Sequence, residues 1–376
     1  MRKICYITGT RADFGLMRST LQKVNDDDDL CLEVIVTGMH LLGDYGHTSN
    51  EIYDANFKVI SEVGVELSGA SGLEMSIALG AQVVGITNAL EQNTPDLVLL
   101  LGDRGEMLAG AIASIHLNIP IVHIHGGERS GSVDESIRHA ISKISHYHLV
   151  STNNSKDRLI KMGEVSDNVF VTGAPGLDGI GLVQPMCKKT LLEKYGVNGE
   201  KPFFLLLFHP VVQQLSEVEK QVTIVLESLL SFKVQILTLM PNADAGSQAI
   251  VKTIMKYKLE NKISTAIHVN RGDFLSLVSE AAVLVGNSSS GIIEAASLGT
   301  PVLNIGNRQN FRERSNNVID VPVEKEKIEE GVRNAMSLDI SIFDNIYGDG
   351  EASDRILNLL KCLDINPKIL DKLNAY

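Results

Sequence analysis

Short apolar runs alternate with amphipathic stretches along the whole chain. The amphipathic stretches are typical of helices, and they include Met17–Val24, Ser76–Leu90, Met107–His116 and Glu135–Ser145. The apolar runs are rich in Val, Ile and Leu and predict strands. Nearly continuous apolar strands alternating with helices indicate parallel sheets that helices cover on both faces, so we predict an α/β fold. The predicted strands are Lys3–Thr8, Leu32–Thr37, Leu97–Leu101, Ile121–Ile124, His148–Ser151, Val169–Thr172, Phe203–Phe208, Gln235–Met240, Ala266–Val269, Ala282–Val285 and Pro301–Ile305.

A break in this alternation lies near the middle of the chain. The segment Gly173–Pro185 is rich in glycine and proline, which interrupt regular structure. We therefore expect two α/β domains of similar size. Several predicted strands end in glycine followed by polar residues, as at Gly102-Asp103-Arg104 and Gly286-Asn287-Ser288. Ligands of open parallel sheets bind at the carboxyl ends of the strands, so these motifs mark the expected site.

Charge and cysteine content narrow the classes of function. The 376 residues carry 34 Lys+Arg against 46 Asp+Glu, a formal net charge of −12, which argues against general binding of nucleic acid or anionic membranes. Apolar runs such as Phe203–Phe208 are too short to cross a bilayer. The first residues lead directly into a predicted strand, so we expect no signal peptide. The four scattered cysteines form no CxxC pair, and we expect a cytoplasmic protein with free thiols.

A run of small polar residues follows one of the predicted strands. Residues 287–291 read Asn-Ser-Ser-Ser-Gly and precede a helix-like stretch. Backbone N–H groups and the hydroxyls of Ser289 and Ser290 at such a turn favour phosphate, although a single helix cap has the same composition. A helix terminus contributes only about 0.3–2 kcal/mol to anion binding, so a diphosphate also needs arginines. Five arginines lie in predicted loops near strand ends: Arg11, Arg104, Arg308, Arg312 and Arg314.

The motifs of several common cofactor and catalytic sites are absent from the sequence. There is no GxGxxG after the first strand, no Walker loop and no GxSxG elbow. His123 and His125 alternate along a predicted strand and would share a face, but no third metal ligand has a convincing spacing. We therefore expect no metal and no cofactor.

The densest polar cluster follows the strand that carries these histidines. Glu128 and Asp103 come after neighbouring strands, and they could supply paired carboxylates for acid–base chemistry. Asp134 and Arg138 are one helical turn apart, so a local salt bridge is the simple alternative for that pair. His209 stands before a proline at a strand terminus, where it could be a general acid, a phosphate contact or a buried structural histidine.

These segments together resemble the UDP-N-acetylglucosamine 2-epimerases, and specifically their hydrolysing branch. The resemblance extends in order over essentially the whole chain. The matching segments are Gly9–Asp13, Gly38–His40, Gly102–Arg104, Gly126–Gly131, Ser136–His139, His209–Pro210, Pro241–Ser247, Gly286–Ser289, Arg308–Gln309 and Gly348–Gly350.

The resemblance implies a specific architecture and assembly. It implies two Rossmann-like domains of the glycosyltransferase-B type, at residues 1–178 and 179–355, with the active site between them. Residues 356–376 are expected to form a C-terminal helix that packs back on the first domain. A homodimer or homotetramer, a UDP-sugar substrate and no partner nucleic acid or membrane are also implied.

The resemblance also implies roles for individual residues. Glu294 would hold the ribose hydroxyls, and Asp103, Asp134 and His209 correspond to catalytic positions. His125 stands where some relatives carry a glutamate that is a proposed acid/base, so the base is either His125 or Glu128. The substrate-binding set, which surrounds the nucleotide diphosphate and sugar, is Arg11, Arg104, Arg138, Asn242, Ser289, Ser290, Glu294 and Arg308.

The expected chemistry follows from the position of the proton on C2. This proton is not next to a carbonyl, so we expect the C1–O bond to break with the nucleotide diphosphate leaving. A base then removes the C2 proton to give a glycal, and water adds at C1 while a proton returns to the opposite face of C2. UDP-N-acetylglucosamine, giving N-acetylmannosamine for sialic-acid synthesis, is the first expectation. The alternatives are a UDP-2,4-diacetamido-2,4,6-trideoxyhexose, a glycosyltransferase on the same scaffold and a non-catalytic nucleotide-sugar sensor.

Overall fold

The chain folds around two parallel β-sheets, one in each half. The structure is a computed structural model and describes residues 1–43, 46–66, 71–180, 187–242, 244–267 and 269–376. The first sheet has seven strands in the order β3-β2-β1-β4-β5-β6-β7. Its neighbouring strands all pair in parallel. The strands are β1 (Arg2–Thr8), β2 (Leu30–Thr37), β3 (Val59–Val63), β4 (Leu97–Leu101), β5 (Ile121–Ile124), β6 (Tyr147–Val150) and β7 (Val169–Val171).

The second sheet repeats this arrangement with six strands. Their order is β10-β9-β8-β11-β12-β13, again with parallel pairing. In both halves the order reverses beside the first strand, which places a crevice at the carboxyl ends of the strands. The strands are β8 (Phe203–Leu207), β9 (Gln235–Leu239), β10 (Ser264–Ala266), β11 (Val283–Gly286), β12 (Val302–Ile305) and β13 (Val318–Val321).

Helices connect the strands and cover the sheets. The fold class is confirmed: two Rossmann-like domains of the glycosyltransferase-B type face each other. The helices are α1 (Arg11–Asn25), α2 (Asn50–Asp54), α3 (Gly72–Asn93), α4 (Gly105–His116), α5 (Val133–Ile144), α6 (Asn153–Lys161), α7 (Lys188–Lys194), α8 (Val218–Leu230), α9 (Ser247–Leu259), α10 (Arg271–Glu280), α11 (Ser289–Ile293), α12 (Lys325–Met336) and α13 (Ala352–Cys362).

Strands at the sheet edges depart most from the prediction. The sequence analysis did not predict β3 and β13, whose residues are mostly half-buried or exposed, because a half-buried edge strand carries polar residues and shows no continuous apolar run. β10 is also an edge strand. It was predicted at Ala266–Val269 and is found at Ser264–Ala266; residue 268 of the predicted range lies outside the described residues.

The helix α3 is apolar on its outer side as well as on its inner side. Its 18-residue window has a mean hydropathy of 1.3 and is 28% buried, so by length and composition alone it is long enough to cross a membrane. A core helix of a protein in water passes the same test. Here α3 carries Ile86 and Leu90 into the core between the sheet and α4.

The chain returns to the first domain at its C-terminus. Helix α13 buries Ile356 and Leu360 in the core around β1 and α1, and Ser353 lies 2.8 Å (Oγ to Oγ1) from Thr20 of α1. The helix begins at Ala352, four residues before the predicted start. The boundaries at 178 and 355 stay predictions, and residues 181–186 of the expected linker lie outside the described residues.

Candidate active site

The polar residues singled out in the sequence lie where strands of both sheets end. Asp103 and Arg104 follow β4, and His125 follows β5. On the opposite side of the cleft, His209 follows β8, and residues 287–291, the serine turn, follow β11. The cleft between the two domains therefore collects these groups from segments more than a hundred residues apart.

The two domains approach each other closely at one side of this cleft. The N–H of Gly131 donates to the carbonyl of Arg308 at 2.9 Å. A Cβ on Gly131 would lie 1.7 Å from the carbonyl oxygen of Asn307, so only glycine fits this contact. The guanidinium of Arg129 stacks over the ring of Phe311 at 4.2 Å from its centroid. The cleft is closed in this structure.

His125 and Glu128 form a buried pair. Nδ1 of His125 lies 2.7 Å from Oε1 of Glu128, and Oγ of Ser151 donates to the same carboxylate at 3.1 Å. Arg312 of the second domain donates from Nη1 to Oε2 at 2.7 Å. Burial by itself raises the pKa of Glu128, but the charges of Arg312 and His125 outweigh it and hold that pKa well below its ordinary value. Glu128 is therefore ionised in the closed cleft.

The two histidines at the end of β5 have different environments, contrary to the expectation that they share a face. His123 lies within the strand, and its ring nitrogens are satisfied by Oγ of Ser142 at 3.1 Å and the carbonyl of Gly102 at 2.7 Å. Burial lowers the pKa of His123 to about 3. His125 lies beyond the strand with a φ of 61°, and this left-handed turn redirects its side chain. The alternation rule fails because the strand ends at Ile124.

Arg138 joins the side chain of Asp103 to the backbone of His125. Its Nη2 contacts Oδ2 of Asp103, and its Nη1 donates to the carbonyl of His125 at 2.8 Å. The local salt bridge between Asp134 and Arg138, considered as the simple alternative, is not among the contacts of Arg138. The arginine is 1% exposed, so its charge is out of water and depends on this carboxylate for compensation.

Asp134 is a carboxylate whose pKa responds to the charge of Asp103. Burial and the charge of Asp103 raise the pKa of Asp134, and Arg308 and a hydrogen bond from Ser132 oppose this only in part. Oγ of Ser132 donates to Oδ2 of Asp134 at 2.7 Å, and Nη2 of Arg308 lies 3.9 Å from the same oxygen. Glu128 is bound by His125 and Arg312, and its pairing with Asp103 for acid–base chemistry stays a prediction.

His209 is held at the end of β8 by its backbone. Its N–H donates to Oδ1 of Asn287 at 2.7 Å, and Nδ2 of Asn287 donates to its carbonyl at 2.9 Å. Burial and the charge of Arg308 lower the pKa of His209 to about 3. The ring is therefore neutral near pH 7, and it can donate a hydrogen bond without carrying charge.

Arg104 connects the domains on the other side of the cleft. It donates from Nη1 to Oδ1 of Asp244 at 3.2 Å and from Nε to Oε2 of Glu106 at 3.3 Å. Burial raises the pKa of Asp244, but Arg104 and Arg308 outweigh this and lower it. Asn242 lies two residues before Asp244 and is half-buried; residue 243 lies outside the described residues.

The serine turn has the predicted strand–turn–helix form. Ser288 caps α11 and accepts a bond from the N–H of Ser290. The helix has only five residues, so its dipole is small. An anion bound here would be held by the backbone N–H groups and the serine hydroxyls. Arg308 donates from Nη1 to the carbonyl of Asn287 at 3.1 Å and so lies beside this turn.

Glu294 and Arg11 complete the predicted binding set. Glu294 follows α11, is 3% exposed and contacts Arg271. Arg11 begins α1 and is half-buried. Burial lowers the pKa of Arg11, whereas the charges of Glu51 and of Tyr195 from the second domain oppose this. Arg11 therefore lies within electrostatic reach of the second domain.

Comparison with known proteins gives the family. The family model described as UDP-N-acetylglucosamine 2-epimerase matches residues 22–361. The chain belongs to the UDP-N-acetylglucosamine 2-epimerase family. It is 47% identical over all 376 residues, and over the full length of both chains, to the UDP-N,N'-diacetylbacillosamine 2-epimerase (hydrolyzing) of Legionella pneumophila. It is 33% identical over 351 residues to the UDP-N-acetylglucosamine 2-epimerase of Neisseria meningitidis, with 93% and 92% of the chains covered.

Solved structures show the same fold as this chain. A Staphylococcus aureus protein solved with UDP superposes with a TM-score of 0.80 at 20% identity and covers 96% of each chain. A Neisseria meningitidis UDP-GlcNAc 2-epimerase bound to UDP-GlcNAc gives 0.79 at 20% identity and covers 95% of this chain and 99% of that one. The resemblance stated from the sequence, to hydrolysing UDP-sugar 2-epimerases, is confirmed.

Asp244 and Arg271 were not selected from the sequence, and Arg312 was expected only as one of the loop arginines near a diphosphate. Arg312, Asp244 and Arg271 each form an ion pair with a predicted site residue or a cleft arginine. Asp244 lies inside the Pro241–Ser247 segment that carried the resemblance, so a signal for it was present. Arg312 and Glu128 are 184 residues apart in sequence, and no local pattern connects them.

Proposed function

We propose that the protein cleaves a UDP-2-acetamido sugar, inverts its C2 centre, and releases UDP and the free epimeric sugar. We propose the diacetamido-trideoxyhexose of UDP-N,N'-diacetylbacillosamine as the preferred sugar. The supporting observation for the chemistry is the cross-domain cluster, in which Asp103, His125, Glu128 and Asp134 face the serine turn and Arg308. The chain's hydrolysing relatives act on UDP-sugars by their names.

The second domain and arginines of the first would hold the nucleotide. Ser289, Ser290 and Arg308 surround the diphosphate in this proposal, and Glu294 accepts hydrogen bonds from the vicinal hydroxyls of ribose. Cations and backbone N–H groups stabilise the negative charge that appears on the leaving diphosphate, which is where enzymes of this kind gain most. The neutral His209 donates one further hydrogen bond. The remaining members of the proposed binding set are Arg11, Arg104, Arg138 and Asn242.

The first domain would carry out the two proton transfers. One base removes the C2 proton as the C1–O bond breaks, and the C–H electrons form the C1=C2 bond of the glycal. In the second half, water adds to C1 and a proton returns to C2 from the opposite face. The raised pKa of Asp134 suits the acid that returns this proton, because a larger fraction of it is protonated at neutral pH. Neither half-reaction requires a metal or redox cofactor.

The names of the relatives support placing the diacetamido sugar before UDP-N-acetylglucosamine in this proposal. From the sequence, UDP-N-acetylglucosamine was the first expectation and the diacetamido sugar the second. The full-length relative at 47% identity is named for the diacetamido sugar, whereas the relative named for UDP-N-acetylglucosamine is 33% identical. UDP-N-acetylglucosamine therefore remains the second candidate, and we propose that either reaction takes place in the cytoplasm.

A parallel assay of the two UDP-sugars tests the proposal. We expect kcat/KM for UDP-N,N'-diacetylbacillosamine to exceed that for UDP-N-acetylglucosamine by at least about tenfold, with UDP and free 2-epimer in equal amounts. A higher value for UDP-N-acetylglucosamine would contradict the proposed sugar. Tight binding without turnover would indicate a sensor, and sugar attached to an added acceptor would indicate a glycosyltransferase; either result would overturn the proposed chemistry.

We propose further that the protein is a homodimer or homotetramer assembled through its first domain. The outer face of α3 leaves Leu73, Ile77 and Val84 between 63% and 71% exposed, and contiguous apolar surface of this kind marks an interface. Ile77→Asp is expected to convert the assembly to monomer in light scattering. The matched control is Leu259→Asp, which places the same charge on an apolar residue that is 79% exposed on the second domain. An unchanged mass for Ile77→Asp would contradict this interface.

A further inference from the structure

We propose that His125, Glu128 and Arg312 form a relay in which Nε2 of His125 takes the C2 proton, Glu128 holds the imidazole, and Arg312 completes the relay only when the domains close. His125 is then the catalytic residue, and Glu128 and Arg312 are positioning residues. The inference deepens the proposed function and rests on it. It also decides between the two candidate bases, His125 and Glu128.

The backbone of His125 is clamped in an unfavourable conformation. Its φ of 61° is uncommon for a residue other than glycine. The N–H of His125 donates to the carbonyl of Leu149 at 3.0 Å, and its own carbonyl accepts from Arg138 at 2.8 Å. A backbone conformation of this kind persists where the surrounding structure enforces it, and such conformations cluster at functional sites. The ring direction is therefore set by the neighbouring strand and by Arg138.

The two ring nitrogens of His125 differ in their environment. Nδ1 lies 2.7 Å from the ionised carboxylate of Glu128, so in the neutral ring the proton resides on Nδ1 and donates to that carboxylate. Nε2 is buried and has no hydrogen-bond partner among the described residues. A buried nitrogen without a partner is costly unless a ligand uses it. His123, two residues earlier, has partners at both nitrogens and provides an internal contrast.

Glu128 has no free carboxylate oxygen for a proton from the substrate. Oε1 accepts from Ser151 and faces His125, and Oε2 accepts from Arg312. The residue is 3% exposed, and the side chain of Arg312 is 7% exposed. A carboxylate bound in this way is held in its ionised form. It orients the imidazole and stabilises the imidazolium, as the third member of a catalytic triad does.

Arg312 makes this relay dependent on domain closure. Arg312 belongs to the second domain and binds the carboxylate of Glu128, whereas all other described contacts of Glu128 come from the first domain. Separation of the domains would leave the carboxylate without its cation and would hydrate the imidazole. Proton abstraction is thereby restricted to the closed state, in which water is excluded and the glycal is retained.

The chemical step balances without any further reactant. The C2–H bond breaks and its proton forms a bond to Nε2. The C2–H electron pair becomes the C1=C2 bond, and the C1–O electron pair leaves with UDP. His125 becomes an imidazolium between the glycal and Glu128, and it returns to neutral when it releases its proton to solvent after the product leaves.

The charges around His125 make the pH dependence diagnostic. The groups that face it are Glu128, Arg312, the guanidinium of Arg138 on its carbonyl, and the neutral His123 below it in the strand. A general base acts in its deprotonated form, so the acidic limb of the pH profile reports on the base. Glu128→Gln removes a negative charge and destabilises the imidazolium, which moves the acidic limb to lower pH. Arg312→Met removes a positive charge and moves the same limb to higher pH.

Kinetics of these variants test the relay. Both Glu128→Gln and Arg312→Met are expected to lower kcat by about 10²-fold or more, with acidic limbs of kcat/KM displaced in opposite directions. Arg312→Lys retains the charge and is expected to bring the limb back to its wild-type position. The matched control is Glu313→Gln, since Glu313 also spans the cleft, by accepting from Asn154 at 2.7 Å, but does not contact His125. Its acidic limb should stay at the wild-type position.

Shifts in the same direction, or no shift in either variant, would overturn the relay. If a variant fails to fold, a measurement on the unmodified protein still tests the relay. In ¹⁵N-histidine NMR, with the His125 signal identified by its loss in His125→Gln, the neutral ring is expected to carry its proton on Nδ1. A proton on Nε2 would also overturn the relay. Wild-type protein that is inactive on every UDP-sugar while showing the Nδ1 tautomer would refute the proposed function instead.

Discussion

Asp103→Asn is expected to lower kcat by about 10²- to 10⁴-fold while UDP still binds. Asp103 contacts Arg138, which in turn holds the carbonyl of His125. The substitution leaves a buried arginine without its counter-charge and moves the loop that carries the base. Asp103 itself does not contact UDP in our account, so isothermal titration with UDP should give nearly wild-type affinity while the assay of sugar release shows the loss.

The pH profile of the same variant reports on Asp134. The charge of Asp103 contributes to raising the pKa of Asp134. An acid must be protonated, so activity is lost as the pH rises through its pKa. Removing the charge of Asp103 lowers that pKa, and the alkaline limb of kcat should move to lower pH. Asp354→Asn, at an exposed ion pair with Lys23, is the control. Wild-type turnover in Asp103→Asn would remove Asp103 from the mechanism.

Arg308→Met is expected to lower kcat/KM by about 10²- to 10³-fold and to weaken UDP binding as well. The guanidinium lies between the serine turn and the acid, 3.1 Å from the carbonyl of Asn287 and 3.9 Å from Asp134. It therefore acts on the leaving diphosphate and on the charge of the acid together. Titration with UDP and steady-state kinetics measure the two losses separately.

A matched control for this substitution is Arg333→Met on α12. Arg333 is exposed and stacks on Phe232, away from the cleft. Its variant should bind UDP and turn over as the wild type does. If Arg308→Met kept both UDP affinity and turnover, the serine turn would not be the diphosphate site, and the nucleotide would have to bind elsewhere.

Much of the fold follows from local pattern, and the errors have local causes. Central strands such as Phe203–Leu207 are buried on both faces and were predicted almost to the residue. The first helix was predicted to begin at Met17, but it begins at Arg11. The prediction started too late because the first turn of the helix is polar and shows no apolar periodicity. The capping box of Thr10 and Asp13, visible in the sequence as Thr-x-x-Asp, marks that start better than apolar periodicity does.

The site is a different case. The sequence indicates which residues lie there, but it does not indicate which of them form ion pairs with each other. Strand ends correctly indicated that Asp103, His125 and Glu128 lie at one edge of the first sheet. The ion-pair partners of these residues depend on three-dimensional contacts. Arg138 binds Asp103 instead of its helical neighbour Asp134, and Arg312 reaches Glu128 from the other domain. The left-handed turn at His125 has no sequence signal, since the residue is not glycine.

The central claim is that the closed cleft exchanges the proton on C2 while it expels UDP. The most direct measurement is NMR of the sugar released in deuterated water. The account predicts one deuterium at C2 of the free product, with the C2 configuration inverted relative to the substrate. A product that retains its original C2 hydrogen, or that keeps the substrate configuration, would contradict it.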